Sequence, residues 1–248
     1  KPLEIAGVVL KNNLKLGNIP EFLGGYYTLQ SIASLLPVLS LNPKETERIL
    51  DLTAAPGGKT TYIGQLMNNR GILISNDKNK LRLKSLVSSV HRMGISNCIV
   101  TNLDGLVLPF VVRGFDKVLL DAPCTGTGII SHDFNIKQKN ISKNASMHFS
   151  LQKKLLLAAI DSCNERSPTG GFIVYSTCSV LVEENESVIQ YAIKNRNVKI
   201  VDTGLSFGMA GYTKFKDIIF DKKMEKCRRF FPHIHNTDGF FVCKLKKF

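Results

Sequence analysis

The stretch "DLTAAPGGKT", residues 51–60, follows an apolar run and ends in Gly58-Lys59-Thr60, which is the outline of a phosphate-binding loop. A triphosphate cradle requires the spacing G-x-x-x-x-G-K-[ST], because its backbone N–H groups must curl around the phosphates. The first glycine of that pattern falls on Thr53, and Pro56 has no N–H to offer. The stretch "KVLLDAPC" (117–124), where four apolar residues deliver Asp121, resembles a magnesium-holding strand end but completes only half of a nucleotide triphosphatase pattern. What remains is strand, small-residue turn and helix N-terminus, a geometry suited to a nucleotide-like cofactor at the carboxyl end of a parallel strand.

Outward from this turn, strands and helices alternate. The strand candidates are "RILDL" (48–52), "GILISND" (71–77), "NCIVTN" (97–102), "DKVLLDAP" (116–123) and "GGFIVYSTC" (170–178). Between them "KTTYIGQLMN" (59–68), "KLRLKSLVSSVHRMG" (80–94) and "SLQKKLLLAAIDSCNE" (150–165) carry apolar residues at helical spacing, as does "LQSIASLLPVL" (29–39) before the first strand. The pattern predicts a doubly wound α/β fold. Residues 131–149, polar, basic and rich in Asn, read as a mobile loop, and 228–248 as a turn followed by a closing antiparallel strand.

A chain of 248 residues with 44% apolar content can bury one large core, so one catalytic domain is expected. No apolar run approaches the roughly 18 residues that span a bilayer, and the N-terminus lacks a signal-peptide core, so a soluble intracellular protein without membrane partners is expected. The opening on Lys1 rather than Met suggests a fragment whose targeting signals lie outside it. Lys and Arg number 33 against 20 Asp and Glu, a net charge of +13 that favours a polyanionic partner. Clusters at 78–84, 137–139 and 222–229 favour nucleic acid over a merely solvated surface, without separating RNA from DNA.

The six cysteines, at 98, 124, 163, 178, 227 and 243, form no C-x-x-C pair and read as free thiols. His233-x-His235 has no Cys or carboxylate at ligand spacing and reads as surface, so no metal site is expected. Acids close four successive strands: Asp51, Asp77, Asp104 and Asp121. Each alone is ordinarily a cap or turn former, but together they line one rim, and Asp77 lies at a distance from Asp51 that suits the ribose-binding carboxylate of a nucleoside cofactor. Cys124 and Cys178 end two further segments on the same rim, where a lone cysteine would ordinarily be packing.

These residues resemble the Nol/Nop/Sun family of RNA (cytosine-5) methyltransferases through "DLTAAPGGKT", "ISND", "LDG", "LLDAPCTGTG", "YSTCSVLVEENE" and "FFPHIHNTDGFF". The resemblance covers essentially the whole chain and leans to the nucleolar branch that methylates large-subunit ribosomal RNA. It implies a Rossmann-like class I fold of about seven mostly parallel strands with the last antiparallel. It further implies S-adenosyl-L-methionine as cofactor, residues 1–25 as the tail of a preceding RNA-binding segment and 26–248 as the catalytic domain. The cofactor would lie over Thr53, Ala54, Ala55, Pro56, Gly57, Gly58 and Lys59. Asp77 would hold the ribose, Asp104 the adenine amino group, and Arg82 would stand on the cofactor side. Asp121 would sit between the methionine moiety and the base, and Lys59 would cap the turn or order the catalytic centre. A pre-ribosomal large-subunit particle as partner, a monomeric state and a nucleolar location are implied as well.

The chemistry agrees. A sulfonium cofactor carries no phosphates, so a proline in the turn is tolerable and an acidic rim suits hydroxyls, an amine and a positive sulfur. Cytosine C5 attacks a methyl group poorly until a thiolate adds at C6, yet only about 3% of an ordinary thiol is ionised at pH 7. By resemblance Cys178 is the nucleophile, Asp121 stabilises or protonates N3 and Cys124 assists release; the residues alone do not separate the two cysteines. The cytosine must leave its stack or already be single-stranded. Other readings are a small-molecule or protein methyltransferase, a ribosome-assembly factor binding pre-ribosomal RNA in a mainly structural role, and the nucleotide triphosphatase.

Overall fold

Alternating apolar residues along short β-branched runs decide the sheet. Leu50, Leu52, Val118, Leu120, Ile173 and Tyr175 point into one core, and Ile49, Leu119 and Val174 into the other, so each strand is buried on both faces. The computed structural model describes residues 16–130 and 141–248. Its strands are β1 (Arg48–Asp51), β2 (Ile72–Asn76), β3 (Cys98–Thr101), β4 (Lys117–Asp121), β5 (Phe172–Thr177), β6 (Val198–Val201), β7 (Met209–Ala210), β8 (Lys214–Phe215), β9 (Ile218–Ile219), β10 (Arg228–Phe230) and β11 (Phe240–Lys247). All but the β8–β9 hairpin join one nine-stranded sheet, with β3-β2-β1-β4-β5-β11 in order.

The first five strands pair in parallel. The chain leaves β1 toward β2 and returns to β4 on its other side, so the carboxyl ends of β1 and β4 form the topological switch point where such sheets bind ligands. Strand β11 runs antiparallel to β5, with Phe241 opposite Thr177, and its other edge is shared between β10 and β6. The expected antiparallel last strand is present. The sheet exceeds the expected seven strands by β7 and β10, which are two and three residues long and too short to show a period in the sequence.

The Ile32–Leu41 helix packs on β4, β5 and β11 in the second core, and the Ile141–Ser162 helix on β4 and β5 in the first. That long helix corrects the reading of 131–149 as a loop: residues 141–149 are helical, while 131–140 lie outside the described residues. Phe149 in its first turns already packs against the first core, and Leu155, Leu156 and Ala159 secure the helix further on, from where propagation adds one hydrogen bond per residue fixed. At the N-terminal end, Arg92 donates to the carbonyls of Phe22 (2.8 Å) and Tyr27 (3.0 Å) and lies 3.9 Å over the Phe22 ring, which fastens this segment to the Lys80–Arg92 helix.

Candidate active site

The turn after β1 is shaped by its small residues. Gly57 sits at φ +108°, a conformation that favours glycine, and a Cβ there would lie a tight 3.0 Å from the Leu86 side chain. The Gly58–Leu66 helix starts at once. Over this turn opens a cleft lined by Gln30, Ser34, Asp51, Thr53, Ala54, Ala55, Pro56, Gly58, Lys59 and Asp121. The Thr53 hydroxyl donates to the Asp121 carbonyl at 2.9 Å, closing the switch point between β1 and β4.

Asp51 is buried beneath the cleft, where Oδ2 accepts from the Thr60 hydroxyl at 2.7 Å and Oδ1 has no hydrogen-bond partner among the described residues. Burial pushes its carboxyl up to about 7, against the Thr60 hydrogen bond and the Lys59 charge that favour ionisation. A buried unpartnered carboxylate oxygen facing a cleft calls for a donor or a cation from a ligand. This fits the positive sulfur and amine of S-adenosylmethionine and opposes a phosphate. The sequence marked Asp51 only as one of the rim acids, with no role of its own.

Asp77 is 5% exposed and ties the turn to the next helix. Its Oδ2 accepts from the Ala55 N–H at 3.1 Å and Oδ1 from the Asn79 N–H at 2.8 Å, which leaves lone pairs on both oxygens. Arg82 stands 4.0 Å from Asp77 and donates to the Ala55 carbonyl. Asp104 lies on the same rim but outside the cleft lining, in a 2.6 Å ion pair with Lys78. The Lys78 hydrogen bond, then that of the Leu106 N–H, hold its carboxyl below the usual range.

Across the cleft Asp121 is held from two sides: Lys59 Nζ is 2.6 Å from Oδ2, and the Ser176 hydroxyl donates to Oδ1 at 2.7 Å. Lys59 also donates to Ser34 Oγ at 3.4 Å, so its side chain links the turn to the Ile32–Leu41 helix and to the end of β4. Beyond Asp121 the sulfurs of Cys124 and Cys178 stand 3.2 Å apart. Their mutual hydrogen bond is the chief cause of opposite shifts: it holds Cys124 well above the ordinary thiol range, with burial adding, and lowers Cys178, helped by the Lys59 charge against burial and Asp121. Of the two sulfurs that share this hydrogen bond, Cys178 is thus the one more readily ionised. Strand alternation could have flagged Ser176, two positions before Cys178; nothing in the local sequence points to Glu184 or Gln152, which hold the loop around Cys124.

The loops carrying the cysteines meet through bare backbone. Gly128 N–H donates to the Cys178 carbonyl and Gly239 N–H to the Gly128 carbonyl, both at 2.9 Å, and a Cβ on Gly128 would fall 2.0 Å from the Gly239 oxygen. His235 Nδ1 lies 3.0 Å from the Phe231 N–H, and His233 is exposed. Among the described residues no group of three or more His, Cys, Asp or Glu is placed to hold a metal ion, and no helix is long and apolar enough to cross a membrane.

Known proteins are similar to this chain over nearly its whole length. The family model described as 16S rRNA methyltransferase RsmB/F matches residues 38–246. The human 28S rRNA (cytosine(4447)-C(5))-methyltransferase is 53% identical over 97% of this chain and 30% of its own length. The Schizosaccharomyces pombe 25S rRNA (cytosine-C(5))-methyltransferase nop2 is 52% identical over 96% of this chain and 40% of its own. The chain thus spans less than half of either relative. The crystal structure of NSun6 from Pyrococcus horikoshii with SFG superposes with a TM-score of 0.83 at 35% identity, over 94% of this chain and 56% of that one. The fold is the Rossmann-like one of class I S-adenosylmethionine-dependent methyltransferases. With its rim acids, both cysteines and all of the cleft lining but Gln30 and Ser34 inside the matched span, the chain belongs to the family of the RsmB/F rRNA methyltransferases.

Proposed function

We propose that this chain is the catalytic domain of an S-adenosylmethionine-dependent enzyme that methylates C5 of a cytosine in large-subunit ribosomal RNA. The observation that carries the reading is the pair of sulfurs 3.2 Å apart, shifted in opposite directions, beside the Lys59–Asp121 ion pair at the cleft. The relatives that are more than half identical are named for this reaction on 28S and 25S rRNA, and the NSun6 structure carries SFG, an S-adenosylmethionine analogue.

S-adenosylmethionine, when bound, supplies a methyl group on a positively charged sulfur. Residues Thr53 to Lys59 would hold it, with Asp51 and Asp121 facing its positive charge and Asp77, Arg82 and Asp104 serving its nucleoside end. Cys178, ionised, adds through sulfur to C6 of the cytosine, and the electron pair of the C5–C6 double bond becomes available at C5. Asp121, held by Lys59 and Ser176, meets N3 of the ring. After C5 is methylated, Cys124 passes its proton to the departing Cys178 sulfur and takes the C5 proton in return. The C5–H pair restores the double bond as the C6–sulfur bond breaks.

Residues 1–25 are read as the tail of a preceding RNA-binding segment, the pre-ribosomal large-subunit particle as the partner, the nucleolus as the location and the protein as a monomer. Mapping 5-methylcytosine in large-subunit ribosomal RNA after depletion tests the reading. Loss of one site is expected; an unchanged map together with defective subunit assembly would favour a structural assembly factor instead.

A further inference from the structure

Glu184 is fully buried, six residues past Cys178, and touches nothing in the cleft. Its carboxylate accepts from the Thr125 N–H at 3.0 Å, the Thr125 hydroxyl at 2.6 Å and the Gln152 side-chain amide at 3.2 Å. The same Gln152 nitrogen donates to the Pro123 carbonyl at 2.8 Å. The residues on either side of Cys124 are therefore fastened to one buried carboxylate and its amide neighbour. The carboxylate is itself anchored, because the Tyr175 hydroxyl in β5 donates to the Glu184 carbonyl at 2.6 Å. That ties the Cys124 loop to the strand that delivers Cys178.

A surface turn needs no such device. Burying a carboxylate costs several kcal/mol unless donors saturate it, and backbone hydrogen bonds or apolar packing would hold a loop with less. What a saturated buried carboxylate adds is direction: its donors occupy definite positions, so Thr125 and Pro123 cannot drift without leaving it unpaired. The Cys124 thiol, kept protonated chiefly by its hydrogen bond to Cys178 and by burial, is kept so further by the Glu184 charge.

We infer that Glu184, braced by Gln152, is a positioning residue that holds the Cys124 thiol against Cys178 and thereby serves the release of the methylated base more than methyl transfer. The inference rests on the proposed release role of Cys124. A merely structural Glu184 would lower methyl transfer and release in step, whereas a positioning Glu184 slows release more than methyl transfer, which loses only the help that the Cys124 hydrogen bond gives Cys178.

The test compares wild type, Cys124→Ala, Glu184→Ala, Glu184→Gln and Thr125→Val on an unmodified large-subunit rRNA transcript with S-adenosylmethionine. Single-turnover methyl transfer is read beside the fraction of protein in an RNase-sensitive adduct that survives denaturing electrophoresis. Glu184→Ala is expected to complete one methyl transfer, slowed less than turnover, to slow turnover about tenfold or more and to accumulate adduct, as displacement of a catalytic group does. Thr125→Val and Glu184→Gln are expected to do the same to a smaller degree, and they carry the test if Glu184→Ala does not fold. In the double variant Glu184→Ala/Cys124→Ala the adduct should be no greater than in Cys124→Ala, since both changes disable one step. Adduct in Cys124→Ala but in none of the Glu184 and Thr125 variants would overturn the inference alone. Absence of adduct in Cys124→Ala would overturn the release role, and the inference with it.

Discussion

The two sides of the cleft are built in different ways. The cofactor side is one continuous turn, Asp51 to Lys59, whose shape comes from backbone: a glycine at positive φ, a proline without N–H, and an Ala55 N–H held by Asp77. The cysteine side is assembled from β4, β5, the Ile141–Ser162 helix and the loop before β11, joined by side-chain hydrogen bonds and by the contact of Gly128 with Gly239. A backbone-shaped turn recognises a ligand by fit. A side-chain network sets proton affinities, and here it makes one thiol of a pair easier to ionise than the other.

Substitutions on the two sides should therefore fail differently. Cys178→Ala should abolish methylation while leaving S-adenosylmethionine affinity within about twofold of wild type, because it removes the thiol proposed to attack C6 and no group that lines the cleft. Parallel assays of methyl transfer and calorimetric binding check this, and a residual rate near wild type would move the nucleophile elsewhere. On the cofactor side Asp77→Ala should weaken S-adenosylmethionine binding by about 1.5 to 3 kcal/mol, the scale of a lost charge-assisted hydrogen bond. Calorimetry showing unchanged affinity would remove Asp77 from the site.

A smaller effect separates the sides by pH. The Asp51 carboxyl is raised to about 7 in the folded chain, so the native state binds more protons than the unfolded one between about 4 and 7. Its contribution to stability is then present at low pH and lost as pH rises through that window. A cationic cofactor favours the ionised form, so S-adenosylmethionine affinity should rise several-fold as pH passes upward through about 7. Asp51→Asn should flatten that rise; an equally steep profile in the variant would place the titrating group elsewhere. The least local effect is RNA binding, which the +13 charge should make weak, poorly selective and steeply salt-dependent. A flat salt profile in a binding titration would contradict this.

The same contrast explains what the sequence disclosed. The turn was legible because its residues are consecutive, and β1 to β5 because their apolar runs alternate with amphipathic helices. The rim acids were legible as strand ends, but the Asp104–Lys78 pair and the orphaned oxygen of Asp51 are products of packing. Strands β7 and β10 are too short for a period to show, and "RRF" in β10 reads as charge rather than as sheet. Residues 141–149 read as polar beside the basic, Asn-rich stretch before them, yet they begin a helix anchored by Phe149 and by the apolar side chains after it. The difference between Cys124 and Cys178 could not be read along the chain, because it depends on a 3.2 Å contact between residues brought together by β4 and β5.

That difference is the centre of the account, and trapping the protein–RNA adduct tests it most directly. With unmodified large-subunit rRNA and S-adenosylmethionine, Cys124→Ala should yield a species that joins protein to RNA through denaturing electrophoresis and disappears on RNase treatment, while Cys178→Ala should yield none. Accumulation of the adduct in Cys178→Ala instead would reverse the roles of the two sulfurs and contradict the account.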